Sequence, residues 1–446
     1  MNAARIKLSP SQILALGFLI MIFSGAVVLS LPVSNRGGEG IPFINALFTA
    51  TSASCVTGLV VYDTWSQFTL FGQVIILMLI QVGGLGFMTF AIRIFMVFGK
   101  RIGLRKRSIL MESISSTHLG GVVRLVKQMI FGTFIVEGCG AVLLFIRFRQ
   151  LFGIRRGLWF SIFHSVSAFC NAGFDLMGIV EPYGSLTYFK GDALISFTIG
   201  TLILLGGIGF VAWDDIITNK TKIKRYSLGT KVVIVFTLFT IVIPAVLFLL
   251  VEKDTAFTGM NWREKAIASF FASVSPRTAG FNSVELQSMS EGGIMLTTLL
   301  MFIGAGPGST GGGIKITTFA VMVLSIYTHV QRNEDVNILG RRLEQGIIRK
   351  AWSSTGVYIT AVLAGTFILI TTQPLAIKEA VFEAFSAMGT VGLTLGITRG
   401  LNIISKVVIM ILMYSGRIGS LTVFAAVVYK KNLSSLRNPV EKMVIG

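Results

Sequence analysis

The sequence predicts an all-α polytopic membrane protein: four span–pore-helix–span repeats, eight transmembrane helices plus four re-entrant half-helices, around one central pore. Three observations predict it. Of 446 residues, 53% are hydrophobic and only 13% charged, whereas soluble domains carry about 25% charged residues. A single soluble core also stops growing near ~250–300 residues, so the surplus apolar surface must face lipid. Eight apolar runs, approximately 12–31, 67–98, 122–148, 191–217, 228–251, 292–328, 347–371 and 402–429, reach the roughly 20 residues a helix needs to cross a ~30 Å hydrocarbon core. Finally, four short apolar stretches each run into a small-residue loop with one glycine: Val56-Thr57-Gly58, Asn171-Ala172-Gly173, Thr278-Ala279-Gly280 and Thr390-Val391-Gly392. Those glycines are 115, 107 and 112 residues apart, the mark of an internal repeat.

The first run follows a basic segment, Met1 to Pro10. It is too long for a signal-peptide core and shows no cleavage site, so it reads as the first span. The short stretches 42–54, 157–170, 264–275 and 377–388 cannot cross; their length suits re-entrant or interfacial helices. Repeats then fall at 1–98, 99–217, 218–330 and 331–446, the last including a C-terminal tail. The half-helices correspond in detail: Ser52-Ala53, Ser167-Ala168 and Ser386-Ala387 lie six and five positions before their glycines, while Ser275 is offset by one. Glycine clusters recur in the second spans at 83–86, 206–209, 304–306 and 416–419, and at the first two they suit close helix packing.

The net charge of +19 is a matter of position. Basic groups crowd 100–107, 220–231, 332–350 and 430–442, while the alternate loops mix acids with bases. This is the positive-inside pattern, and it puts both termini in the cytoplasm of a cell-membrane protein. It argues against nucleic acid as a partner. The basic loops suit either anionic lipid or a soluble regulator. Cys55, Cys139 and Cys170 are odd in number and have no paired spacing, which supports neither a disulfide scaffold nor a zinc site.

Non-helical backbone at membrane depth must line a cavity or be buried in protein. Half-helices approaching it carboxyl end first bring about half a negative charge each, and loop carbonyls then replace an ion's hydration shell. Glycine suits this role because successive carbonyls pointing one way need backbone angles that side chains disfavour. No Asp or Glu lies in the four loops. A divalent site would want carboxylates, so a weakly hydrated monovalent cation such as potassium is the expected cargo. Asp63 follows the first loop and is placed at the outer mouth. Arg277, one residue before the third loop, reads as a solvated or carbonyl-bonded mouth arginine.

On these loops and repeats the chain resembles the Trk/Ktr/HKT superfamily of potassium transporters, most nearly the membrane subunits of bacterial Ktr systems. The likeness covers nearly the whole chain. It implies a homodimer, each chain with its own pore, and a cytosolic ring of nucleotide-binding RCK-type (KtrA-like) regulatory subunits. Family members with serine at the first loop glycine tend toward sodium, so Gly58 implies potassium, with sodium as a coupled ion left open. The loops share only a single glycine with the Thr-Val-Gly-Tyr-Gly of strict potassium channels, which implies fewer well-formed ion sites.

Gly304-Ala305-Gly306-Pro307-Gly308-Ser309-Thr310-Gly311-Gly312-Gly313-Ile314-Lys315 interrupts the sixth span. Each glycine costs a helix about 0.8–1 kcal/mol and proline about 3, so the helix must break. The segment is not a nucleotide-binding P-loop, since Ile314 separates Gly313 from Lys315 and Thr317 is misplaced. It reads as a plug under the loops, and the resemblance implies that it acts as the gate. Lys315 either joins the plug or snorkels from the helix restart. Arg417 stands where the other repeats have Gly84 and Gly207. An intramembrane charge is a functional-site hypothesis by default; it either contacts the loop's carbonyls and opposes cation passage, or ties helices. The chain carries no nucleotide fold and binds no expected cofactor, so an ATP-driven pump would need a partner. A membrane enzyme, the remaining alternative, would need intramembrane acids and imidazoles that the spans almost lack.

Overall fold

The computed structural model describes residues 9–86, 122–333 and 335–419, with 439 and 441. The ends of the runs 67–98 and 402–429, the basic loop 99–112 and most of the C-terminal tail lie outside the described residues. Most of the rest is helical, with long loops between the helices.

Four long helical segments are spaced along the chain: α1 (Pro10–Ser30), α5 (Val122–Phe169), α8 (Leu228–Val251) and α12 (Gln345–Thr372). These four contain the described helices long and apolar enough to cross a membrane. A reciprocal capping box fixes the start of α1, Ser9 and Gln12 each accepting the other's backbone N–H. Outward-facing Leu16, Ile20, Phe23 and Val27 on α1, and Val235, Leu238, Phe239 and Val242 on α8, are exposed, as a lipid-facing surface requires.

The short stretches fold as expected into α2 (Phe43–Ser54), α9 (Trp262–Val274) and α13 (Ile377–Gly389). The second, 157–170, is the last part of α5 and is set off from the long first part at Gly153, whose φ of 75° and ψ of 177° break the helical path; it folds back on that first part, Ser165 Oγ donating to Glu137 O at 2.6 Å and the Phe148 and His164 rings lying 5.4 Å apart. Only glycine takes such angles readily.

The second spans differ more. Each expected run begins at a side-chain N-cap, Thr69, Asp192, Ser290 or Asn402, whose oxygen accepts a backbone N–H of the first turn. A short turn, α3 (Thr64–Gln67), precedes the first of these helices. The helices then stop early: α4 (Leu70–Leu85), α6 (Ala193–Ile208), α10 (Glu291–Phe302) and α14 (Ile403–Ile418). Sixteen residues, the longest among them, rise only about 24 Å. Gly86, Gly209 and Gly419, at φ 86°, 99° and 102°, end three of them, and the glycine-rich loop ends α10. The run 191–217 is therefore not one continuous helix. It turns by 93° at Gly209 into α7 (Phe210–Asn219). The predicted break in 292–328 is present, and the chain restarts as α11 (Ile316–Val330). A two-residue hairpin, β1 (Asn337–Ile338) with β2 (Arg341–Arg342), joins α11 to α12.

A candidate cation pathway where four loops meet

The four glycine loops share one backbone pattern. Two residues before each glycine, Val56, Asn171, Thr278 and Thr390 have φ of 51°, 56°, 71° and 50°. The glycines themselves have φ of 94°, 69°, 78° and 95°. Four side-chain-bearing residues in the left-handed region, in register, mark backbone held by its surroundings. The hydroxyls of the half-helix serines help hold it. Ser52 and Ser386 accept the N–H of Gly58 and Gly392 at 3.1 and 3.0 Å, whereas Ser167 and the offset Ser275 donate to the carbonyls of Phe174 and Phe281.

The loops close on one another. A methyl group placed on Gly58 would lie 2.6 Å from the Ala172 carbonyl oxygen, and one on Gly173 would lie 2.7 Å from that of Ala279. One on Gly280 would strike the Val391 carbonyl, and one on Gly392 the Thr57 carbonyl. The sequence of contacts runs from loop 1 to 2 to 3 to 4 and back to 1. Glycine is thus required twice at each position, for its φ and for the carbonyl packed against its α-carbon. The Asn171 amide and the Thr278 hydroxyl are hydrogen-bonded at 3.0 Å, linking loops 2 and 3.

A cavity of about 730 Å³ opens on one side of the ring and is lined by all four glycines together with Asp63, Asp175, Glu181 and Glu285. Asp63 lines it as expected, although its carboxylate also caps a turn, accepting from Ser66 N and Oγ at 2.7 and 2.6 Å. Asp175 lies in the loop beyond Gly173. Burial, then the Asp63 carboxylate, push its carboxyl up to about 7, against a hydrogen bond from the Met177 N–H. Arg399 stacks on Tyr183 at 3.6 Å on the same rim.

On the opposite side lies the 304–315 loop. Gly306 N donates to Gly207 O at 2.7 Å, Thr310 Oγ1 to Phe169 O at 3.0 Å, and Gly312 N to Thr390 Oγ1 at 3.1 Å. A side chain at Gly311 would meet the Thr278 hydroxyl. The loop is therefore packed directly under the third and fourth glycine loops. Lys315 Nζ donates to Gly311 O at 2.7 Å, which joins it to the loop. Arg417 binds three backbone carbonyls: Thr310 in the loop, and Gly83 and Gly84 at the end of α4, at 2.5 and 2.7 Å. Its register is as read from the sequence. Gly83, Gly206 and Gly416 each abut the carbonyl four residues before a ring glycine, those of Ser54, Phe169 and Met388.

Three residues are not where the sequence alone puts them, or were missed. Arg277 is not a solvated mouth residue; it is 4% exposed, and among the described residues the one hydrogen bond of its guanidinium, from Nη2 to Thr237 Oγ1, is 3.4 Å long. Glu137 in α5 is buried, with Gln81 Nε2 donating to it at 3.2 Å. Glu383 in α13 is fully buried and accepts from the hydroxyls of Thr394 (2.7 Å) and Thr398. A carboxylate inside an apolar run was the available signal for both acids. His164 is buried among Phe148, Phe160 and Phe163, its Nδ1 bonded to Phe160 O. Among the described residues no cluster of His, Cys, Asp and Glu could hold a metal.

Long apolar helices with exposed apolar faces, shorter apolar half-helices and a closed ring of loops with a cavity on one side define a multi-pass helical membrane protein. A family model described as a cation transport protein, TrkH, matches residues 11–435, and the chain belongs to that family, as its loops suggested. It is a transporter, not an enzyme. The chain is 41% identical to the Ktr system potassium uptake protein B of Bacillus subtilis strain 168, covering 99% of this chain and 98% of that protein. It is 37% identical to the potassium/sodium uptake protein NtpJ of Enterococcus hirae, again over 99% and 98%. The crystal structure of the potassium transporter TrkH from Vibrio parahaemolyticus has the same fold, with a TM-score of 0.74 over 95% of this chain and 86% of that one at 19% identity.

Proposed function

We propose that this chain takes up potassium across the cell membrane. Residues 56–58, 171–173, 278–280 and 390–392 form the selectivity filter, and the 304–315 loop with Arg417 forms the gate beneath it. The carrying observation is the closed ring, in which each loop glycine packs against the carbonyl just before the next. Neutral carbonyls favour a weakly hydrated monovalent ion, and relatives of this length are potassium uptake proteins by name. The four repeats at 1–98, 99–217, 218–330 and 331–446 surround one pore per chain. Both termini are cytoplasmic. The chain is the translocating subunit of a regulated system, a homodimer bearing a cytosolic nucleotide-binding ring on its basic loops.

Cation flux into proteoliposomes holding this chain, wild type against Gly58→Ser, tests the reading. Potassium flux above sodium flux, with the preference weakened by serine, supports it. Equal selectivity in the two proteins overturns the filter. A second ion is favoured by one observation, the potassium/sodium name of the Enterococcus relative. Sodium-stimulated potassium flux in the same vesicles would show coupling.

A further inference from the structure

The position three residues before the ring glycine is occupied in the four repeats by Cys55, Cys170, Arg277 and Gly389. Three of these are small and uncharged, and all four are buried. The third carries a guanidinium. Its Nε and Nη1 meet no acceptor, and the contact from Nη2 to Thr237 on α8 is long and uncharged at its far end. No carboxylate pairs with it among the described ion pairs. The side chain departs from the backbone immediately before Thr278, the left-handed residue of loop 3, and reaches outward to the first helix of its own repeat. A buried cation with no counter-ion acts through a low dielectric and is poorly screened by salt.

We propose that Arg277 is a positioning residue for ion affinity, a fixed positive charge behind the third loop that weakens cation binding in the ring and so speeds release. This rests on the reading of the ring as the ion path. Conduction requires a site favourable enough to fill and weak enough to leave. A ring of glycine-lined carbonyls backed by four half-helix C-termini, each worth about half a negative charge, would hold a cation tightly. Arg277 offsets part of that field from one side without touching the ion. Its unpaired state is what makes it effective, since a carboxylate partner would cancel the charge at the ring. Two unit charges about 10 Å apart at an effective dielectric near 20 change binding on the order of tenfold.

The test uses the full chain in detergent, with potassium as the probe and thermal stabilisation as the binding readout, followed by flux in proteoliposomes. Arg277→Gln should lower the potassium concentration for half-maximal stabilisation about tenfold. In flux it should lower KM without raising the maximal rate. Arg277→Lys, which keeps the charge, should stay within about twofold of wild type. Thr237→Asp leaves the arginine in place and supplies a carboxylate against it, so it should shift the half-effect in the same direction as the Gln variant. It serves equally if the Gln variant does not fold. Half-effect concentrations unchanged in whichever of these two variants folds would overturn the proposal, as would a Lys variant that shifts as far as Gln. A merely structural role would lower the melting temperature in all three without this charge-dependent order. A wild type that shows no potassium response at all overturns the reading of the ring and this inference together. A responsive wild type with unresponsive variants overturns the inference alone.

Discussion

Arg417→Gln should open the pathway. The guanidinium makes three hydrogen bonds to backbone carbonyls, but only the one to Thr310 O reaches the glycine-rich loop; those to Gly83 and Gly84 O anchor the arginine itself to α4. A hydrogen bond from a charged donor contributes about 1.5–3 kcal/mol, and about 1.4 kcal/mol is tenfold in an equilibrium. Removing that tether alone raises the open fraction roughly 10–100-fold, before counting the removed charge, which itself opposes a cation. Glutamine keeps much of the length, so the helix is not left with a cavity. The assay is initial potassium uptake in proteoliposomes at matched protein content, with the melting temperature confirming the fold. A rate within about twofold of wild type in a folded variant would refute the argument, and so would a fall in rate. Either result would mean that the arginine ties α14 to α4 without restraining the loop.

Three further outcomes follow from the same geometry. Gly311→Ala puts a methyl group against the Thr278 hydroxyl and 2.7 Å from Ala305 Cβ, so it should displace the loop and raise basal flux severalfold; unchanged flux would show the loop is free to move aside. Glu383→Ala removes the carboxylate that accepts from Thr394 and Thr398, leaving Thr398 with Thr394 Oγ1 and Thr394 without its acceptor, and should cost about 1–3 kcal/mol, seen as a lowered melting midpoint; an unchanged midpoint would count against the tie. Asp175, with its carboxyl pushed up to about 7, is charged above that pH and neutral below it. Uptake should therefore fall as external pH drops from 8 to 6, and Asp175→Asn should flatten the profile at its low-pH level; a variant that keeps the full pH step would refute the assignment.

The membrane class and the half-helices could be read directly because each rests on a compositional signal spread over many residues. Lengths of 12–14 residues against a requirement of about 20 separated half-helices from spans. The single interruption rich in glycine was equally plain. The breaks at Gly86, Gly209 and Gly419 were not, because a glycine cluster inside an apolar run reads as helix packing and only the positive φ of its last glycine shows that the helix stops there. Within the site, the glycines and Arg417 stood out by type and spacing. The left-handed residues two positions earlier did not, since Val, Asn and Thr carry no signal for that conformation. The surroundings of Arg277 depend on Thr237, 40 residues away in sequence, and no local pattern reports such a contact.

Among the described residues, the departures from the proposed fourfold repetition that lie under the ring are in the last two repeats, and the proposed mechanism accounts for that. A spherical ion has no orientation, so its site can be built four times over, and the ring glycines are alike in φ and in the carbonyl each meets. A plug has to come from one side. Accordingly α10 is only 12 residues long, Ser275 sits one residue nearer its glycine than the other three serines, and the freed chain between α10 and α11 folds under Thr278 and Thr390. Arg417 then takes from the fourth repeat the place that Gly84 and Gly207 hold in the first two, and it reaches the loop only because that place adjoins it. Four identical second spans could make the ring but would leave it permanently open. On this reading, substitutions in repeats 1 and 2 should alter selectivity first, whereas those in the 304–315 loop and at Arg417 should alter rate first. A flux survey that found the two effects mixed evenly among the repeats would remove the division of labour.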